Sequence, residues 1–293
     1  MMGYRTRSTI AKIESGENDV SQKKLQKFAA VLDTTVEMLI SGIAADPSAS
    51  VYMPAVSAPK AHRTAAIILA GGRAGRTRQN IPTQFVNVFG KPILVHCMEV
   101  YQQHPAVDDI YVVCLKGWEN IVEAYAKQYN ISKLKKLIPG GSSGTASLKN
   151  AIDQIKEFYQ SDDIIMIQES TRPMVSLETI SQLLQACAEK GSATICHSMN
   201  EYVQFQIVDQ KPQYVDRNTL VAMQSPEAHR FSLLQELFSR ISADDYPLTD
   251  SCCTMLLHHF GYSINFIEGN TNNIKIVRDE DISTFKALLH QAE

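Results

Sequence analysis

"LAGGRAGRTRQNIPTQF", residues 69–85, ends the apolar run TAAIILA (64–70) on two glycines and then sets Arg73, Arg76 and Arg78 in a loop that contains no lysine and no acid. Gly71 and Gly72 allow a sharp turn and a close approach of backbone to a ligand. Free amides beside guanidinium groups suit phosphate. The loop is neither a Walker A sequence nor G-x-G-x-x-G. It reads as the end of a buried strand whose following loop holds something strongly negative.

Outward from this stretch the chain alternates. KPILVHCMEVYQQH (91–104) has helical periodicity with Pro92 in its first turn, DIYVVC (109–114) is a strand, and residues 118–129 are a helix. TASLKNAIDQIKEFY (145–159) is a helix with Leu148, Ala151, Ile152 and Ile155 on one face. DIIMI (163–167) is a strand, SLETISQLLQACAEK (176–190) a helix capped by Ser176, and SATIC (192–196) a strand. This alternation predicts an α/β fold: a mostly parallel sheet with helices on both faces, and ligands at the carboxyl ends of the strands. YVQFQIVD and PQYVD flank a turn at Gln210–Lys211 and predict a projecting β-arm over residues 201–216.

The 293 residues allow a large domain and a small one. Residues 43–62, rich in small residues and proline, read as a linker between an all-α piece (1–42) and the main domain (63–293). A net charge of −3 argues against a protein that coats nucleic acid. No apolar run reaches the roughly 20 residues of a membrane span, and the N-terminus lacks the apolar stretch of a signal peptide. Six scattered cysteines without a C-x-x-C pair read as buried and reduced. The expectation is a cytoplasmic protein without a membrane partner.

The first loop continues into PTQFVNVFGKPILVH (82–96). PGGSSGTASLKNAI (139–152), IMIQESTRP (165–173), VDRNTLVAMQSPEAHRF (215–231), PLTDSCCTML (247–256) and FIEGNTNNIKIVRDEDI (266–282) follow. In this order and spacing the set resembles the cytidylyltransferases that join CTP to 2-C-methyl-D-erythritol 4-phosphate or ribitol 5-phosphate. The resemblance covers residues 64–290. It implies a Rossmann-like nucleotide-diphospho-sugar transferase sandwich, Mg²⁺ as cofactor, CTP and a phosphorylated polyol as substrates, and a homodimer formed through the arm.

It also implies roles. Arg76 stabilises the reacting phosphate. Gly71 and Gly72, with Gly140, Gly141 and the Ser147 hydroxyl, contact CTP. Glu169 stands at the position of an aspartate that helps hold Mg²⁺. Arg172 and Lys275 grip the acceptor phosphate, and Asp216–Arg217 sits at the base of the arm, its arginine reaching a neighbouring subunit's acceptor site. The family's lysine in P-K-Q-F is Thr83 here. Losing one preorganised charge of this kind costs about 2.7–4 kcal/mol of barrier, and Arg73 and Arg78 are the candidates to compensate. Asn200, Glu201 and Tyr202 stand where an acidic-threonine pair would contact the polyol. Thr249–Asp250 keeps a T-D pair, read as a helix cap. A rival reading is a domain that binds a nucleotide or polyol phosphate without turning it over.

Residues 8–42 resemble the second half of a Cro/repressor-type helix-turn-helix domain, with Ser8 to Glu14 as recognition helix. The stretch begins almost inside that helix, so its usual packing base is missing and DNA binding is not expected. A helical remnant or dimerisation piece is.

Overall fold

The computed structural model describes residues 62–72, 81–199, 203–241 and 252–292. The expected N-terminal piece and almost all of the linker lie outside these residues. So do Arg73, Arg76, Arg78, Asn200, Glu201, Tyr202, Thr249 and Asp250.

In chain order the main domain runs β1 (Thr64–Ala70), the short β2 (Asn87–Val88) and β3 (Lys91–Pro92), α1 (Ile93–Gln103), β4 (Asp109–Cys114), α2 (Glu119–Gln128), β5 (Leu134–Pro139), α3 (Gly144–Ile155), β6 (Ile164–Glu169), α4 (Leu177–Lys190) and β7 (Ser192–Ser198). The arm strands β8 (Gln204–Val208) and β9 (Lys211–Val215) follow. Then come β10 (Val221–Arg230), α5 (Phe231–Ser239), α6 (Cys253–His259), β11 (Phe266–Glu268) and α7 (Asp279–Ala292). Among the described residues the main sheet has seven strands in the order β11-β7-β10-β6-β1-β4-β5. β10 runs against its two neighbours, and every other pairing is parallel.

The apolar run of β1 is buried on both faces because consecutive strand residues point to opposite sides. Ala66 and Ile68 join the cluster that includes α1 and α4 side chains, and Ala65 and Ile67 the one that includes those of α3, α5 and α6. Ile67 and Ile68 are fully buried, each worth about 1.5–3 kcal/mol relative to exposure. Ser176 caps α4 as expected, its Oγ accepting from Thr179 N at 3.0 Å. Gly191 ends that helix with φ of 82°, a conformation glycine adopts without steric cost.

Some expectations shift. Pro92 lies at the N-cap of α1, just before its first turn. α3 stops at Ile155, short of Tyr159. The arm turns at Asp209–Gln210, one residue earlier than expected: Val208 pairs with Lys211, and both turn residues have positive φ, 47° and 64°. That is the twist-matched two-residue hairpin turn, built here without glycine, which is why the sequence hides it.

Candidate active site

The first two glycine turns meet at the carboxyl ends of the two strands that flank β4. Gly71 follows β1, Gly140 follows β5, and β4 lies between. A Cβ built on Gly71 would stand 3.7 Å from the Gly140 Cα, and Gly140 N donates to Cys114 O at 3.2 Å. Gln84, buried in the PTQF turn, donates through Nε2 to Ala70 O (2.8 Å) and Gly72 O (2.9 Å). It therefore fixes the exit of β1 and the shape of the first turn.

The second turn is held by Ser147. Its Oγ accepts from Gly141 N (2.9 Å) and donates to Ser143 O (2.8 Å). Ser143 caps α3 by accepting from Ala146 N at 3.1 Å. The Ser147 hydroxyl proton is thus spent inside the turn, leaving one lone pair free. Thr83 is 2% exposed, and its hydroxyl has no hydrogen-bond partner among the described residues. It presents no charge and little surface.

Glu169, Arg172 and Lys275 come together from two distant segments. Arg172 Nε donates to Glu169 Oε2 at 2.8 Å and Nη1 to Asn273 O at 2.9 Å. Lys275 Nζ donates to Glu169 Oε1. Burial alone would raise the Glu169 carboxyl, but Lys275 and then Arg172 hold it below its ordinary value. Glu169 is the last residue of β6 and pairs in register with Leu69 of β1; Ser170 N donates to Leu69 O at 3.1 Å. The cluster therefore stands on the strand next to the one that leads into the first glycine turn. Mg²⁺ takes oxygen ligands that are free to face it. In this arrangement both oxygens of Glu169 face cations, so the carboxylate is paired with Arg172 and Lys275 and does not stand free for a Mg²⁺ ion.

Several residues that sequence reasoning missed hold the cluster in place. Gln168, fully buried, donates to Glu169 O (3.1 Å) and Arg172 O (2.8 Å), while its own Oε1 accepts from Tyr101 OH at 2.9 Å. Ser225 Oγ accepts from Glu169 N at 3.1 Å, and Ser225 O accepts from Asn273 Nδ2 at 2.8 Å. Two residues further along β10, Glu227 accepts from Cys253 N (2.6 Å), Thr254 N (2.8 Å) and Thr254 Oγ1 (2.6 Å) at the start of α6. The available signal was polarity out of place: a glutamine ending the apolar run IIMIQ, and a glutamate between proline and alanine in SPEA.

Among the described residues, Glu227, His229 and Cys253 also group their ligand atoms within 4.8 Å. Glu227 is already used as an acceptor by α6. His229 Nε2 lies 3.3 Å from Glu227 Oε2, close enough for charge to act, but without the alignment of a hydrogen bond. The Cys253 thiol is pushed well above its ordinary value by burial and then by Glu227, so it keeps its proton. This is a structural cluster.

Asp216 accepts from Asn218 N at 3.0 Å and caps the turn after the arm, and Arg217 is exposed there. The structure does not bring this pair to the Glu169 cluster within the one chain. Arg76 lies outside the described residues. No helix among the described residues is long and apolar enough to cross a membrane.

Paired glycine turns and a cationic cluster at the carboxyl ends of a mostly parallel sheet define an α/β nucleotidyltransferase-type domain. Solved structures agree on the fold. The 4-diphosphocytidyl-2C-methyl-D-erythritol synthase of Anaerococcus prevotii superposes with a TM-score of 0.67 at 19% identity, covering 78% of this chain and 96% of that one. The 2-C-methyl-D-erythritol 4-phosphate cytidylyltransferase of Francisella tularensis gives 0.64 at 21% identity, covering 77% of this chain and 99% of that one. The sequence profile of the 2-C-methyl-D-erythritol 4-phosphate cytidylyltransferase family matches residues 64–291, and the chain belongs to that family. A ribitol-5-phosphate cytidylyltransferase of Lacticaseibacillus paracasei is 32% identical over 230 residues, 78% of this chain and 98% of that protein. A 2-C-methyl-D-erythritol 4-phosphate cytidylyltransferase of Porphyromonas gingivalis is 30% identical over 224 residues, 76% and 96% of the two chains. A helix-turn-helix profile matches residues 6–39.

Proposed function

We propose that the protein transfers the cytidylyl group of CTP to a phosphorylated polyol and releases pyrophosphate, with ribitol 5-phosphate as the preferred acceptor. The observation that carries this reading is the convergence of Arg172 and Lys275 on one point beside the glycine turns. A triphosphate in the turns then lies across adjacent strand ends from a phosphate held by two cations. The acceptor phosphate attacks the α-phosphorus, and pyrophosphate leaves. Catalysis of this kind is largely positioning and neutralisation of charge. The backbone of Gly71, Gly72, Gly140 and Gly141 receives the nucleotide. Ser147 holds the shape of the second turn, and Arg76 supplies charge at the triphosphate. CTP enters as its Mg²⁺ complex. The preference for ribitol 5-phosphate follows the relative from Lacticaseibacillus paracasei.

The arm supports a homodimer. Phe205 pairs with Tyr214 and Ile207 with Pro212, so Val203, Phe205, Ile207, Pro212 and Tyr214 share one face of a ribbon and are exposed. A second copy of this chain covers that face and brings Arg217 towards its partner's acceptor site.

The test is pyrophosphate release by the purified full chain with CTP and Mg²⁺, with ribitol 5-phosphate and 2-C-methyl-D-erythritol 4-phosphate assayed separately. Turnover with ribitol 5-phosphate is expected. Turnover with only the other acceptor removes the preference. CTP binding without turnover on either would favour the reading that buried, uncharged Thr83 supports, a binder without catalysis.

A further inference from the structure

Glu169 sits where the proposed reaction needs an anion of a different kind. Arg172 Nε and Lys275 Nζ both point at its carboxylate. Glu169 is only 30% exposed and Arg172 14%, whereas Lys275 is 45% exposed, so the trio opens to solvent from the Lys275 side. Gln168 and Ser225 pin the Glu169 backbone, and Asn273 O pins Arg172. The frame is thus fixed on both sides, and the side-chain carboxylate is the part free to swing. Two cations held about a carboxylate form a site of the right charge for a phosphate monoester.

We infer that the Glu169 carboxylate is an exchangeable stand-in for the acceptor's phosphate: it holds Arg172 and Lys275 together in the empty site and is displaced when the phosphate enters. This rests on the cytidylyltransferase reading above. It departs from a metal-ligand role for Glu169, which the double cation pairing does not fit.

The exchange has a direction built into the chemistry. The entering phosphate monoester carries about −1.5 to −2 charges at pH 7 and outcompetes a carboxylate of −1. In the reaction one of its oxygens bonds to the α-phosphorus of CTP. The bridging bond from the α-phosphorus to the β-phosphate breaks, and pyrophosphate leaves with the electron pair. The former acceptor phosphate is now part of a diphosphate diester and keeps one charge. The carboxylate competes with it on more even terms, recaptures the cations and speeds product release.

The experiment is calorimetric titration of inorganic phosphate and of ribitol 5-phosphate into the full chain in EDTA, comparing wild type, Glu169→Gln, Glu169→Asp and the double variant Glu169→Gln/Lys275→Ala. Glu169→Gln keeps the size and loses the competing charge, so it should bind both probes on the order of fivefold more tightly. Glu169→Asp keeps the charge and should stay within about twofold of wild type. The Mg²⁺ concentration for half-maximal pyrophosphate release should be the same in wild type and Glu169→Gln. Unchanged or weaker phosphate binding in Glu169→Gln overturns the inference, as does a raised Mg²⁺ requirement. Equal tightening in Glu169→Asp also overturns it, because size and not charge would then be responsible. Binding of both probes in the double variant at Glu169→Gln strength would instead overturn the phosphate grip itself, and with it the acceptor half of the proposed function.

Discussion

Gly141→Ala and Gly72→Ala separate what the scaffold needs from what the nucleotide needs. A Cβ on Gly141 would lie 2.7 Å from both the carbonyl carbon and the Cβ of Ala146, and 2.9 Å from Ser147 N. These are atoms of the first turn of α3, and no flexible side-chain end is there to yield. Either the loop or the helix start must move, and the Gly141 N to Ser147 Oγ bond of 2.9 Å goes with it. Overpacking costs about 1–3 kcal/mol, and the lost hydrogen bond about 1 kcal/mol. A combined loss of about 2–4 kcal/mol lowers Tm by roughly 4–16 °C for a domain of this size. A Cβ on Gly72 meets nothing within 4 Å among the described residues, so Gly72→Ala should leave Tm within about 1 °C. Both variants should weaken CTP binding, Gly141→Ala by distorting the turn and Gly72→Ala by placing a methyl where backbone meets phosphate. Calorimetric CTP titration beside thermal denaturation reads both quantities. The reasoning is refuted if Gly141→Ala melts like wild type, or if Gly72→Ala binds CTP unchanged.

Thr83→Val replaces a buried hydroxyl that has no partner among the described residues with a methyl and should raise stability by about 1 kcal/mol without loss of turnover; reduced kcat in a stable Thr83→Val protein would give the hydroxyl a role. Glu227 is held below its ordinary value: burial opposes this, but His229, Thr254 and the Cys253 amide together prevail. Its contribution is therefore present above the ordinary glutamate value near 4.3 and is lost as pH falls through the lower folded value. Glu227→Gln turns a donor towards the amides of α6 and should cost about 2–4 kcal/mol at pH 7. Urea denaturation should show that gap narrowing below about pH 4, and a gap independent of pH would remove the charge from the account. Ile207→Asp puts a charge on the apolar face of the arm and should shift sedimentation from the proposed dimer to monomer, whereas an unchanged sedimentation coefficient would remove the arm from the proposed interface.

The parallel half of the fold was legible because its strands are apolar on both faces and its helices keep a 3.6-residue period. β5 was not, because LKKLIP lies at the sheet edge and carries two exposed lysines. β10 was not, because VAMQSPEAHR breaks the apolar pattern with the polar residues that serve the site. The candidate site shows the same division. Blocks with glycine or arginine announce themselves through backbone freedom or charge. Gln84, Gln168, Ser225 and Asn273 work by hydrogen bonds to main-chain atoms, some about 50 residues away in sequence, such as Glu169 N to Ser225 Oγ and Asn273 Nδ2 to Ser225 O. No local pattern encodes such a bond.

β10 explains how such scattered residues form one site. Its antiparallel direction puts Gln224 and Ser225 near the carboxyl end of β6, while Glu227 pairs with Ile167 within that strand. From there Ser225 reaches Glu169 and Asn273, and Glu227 reaches α6. A parallel strand in the same place would present its carboxyl end to the site and a loop beyond it. The antiparallel strand presents its own middle: Ser225 lies in the irregular stretch between Met223 and Glu227, and from Glu227 onward the strand is paired on both sides. In the proposed reaction the acceptor cations are thus referred to the sheet through Ser225 and Asn273, while the nucleotide is left to the glycine turns. On the proposed function a site that must accept two anions gains from that division: Arg172 and Lys275 are held around Glu169, which balances their charge, beside the glycine turns.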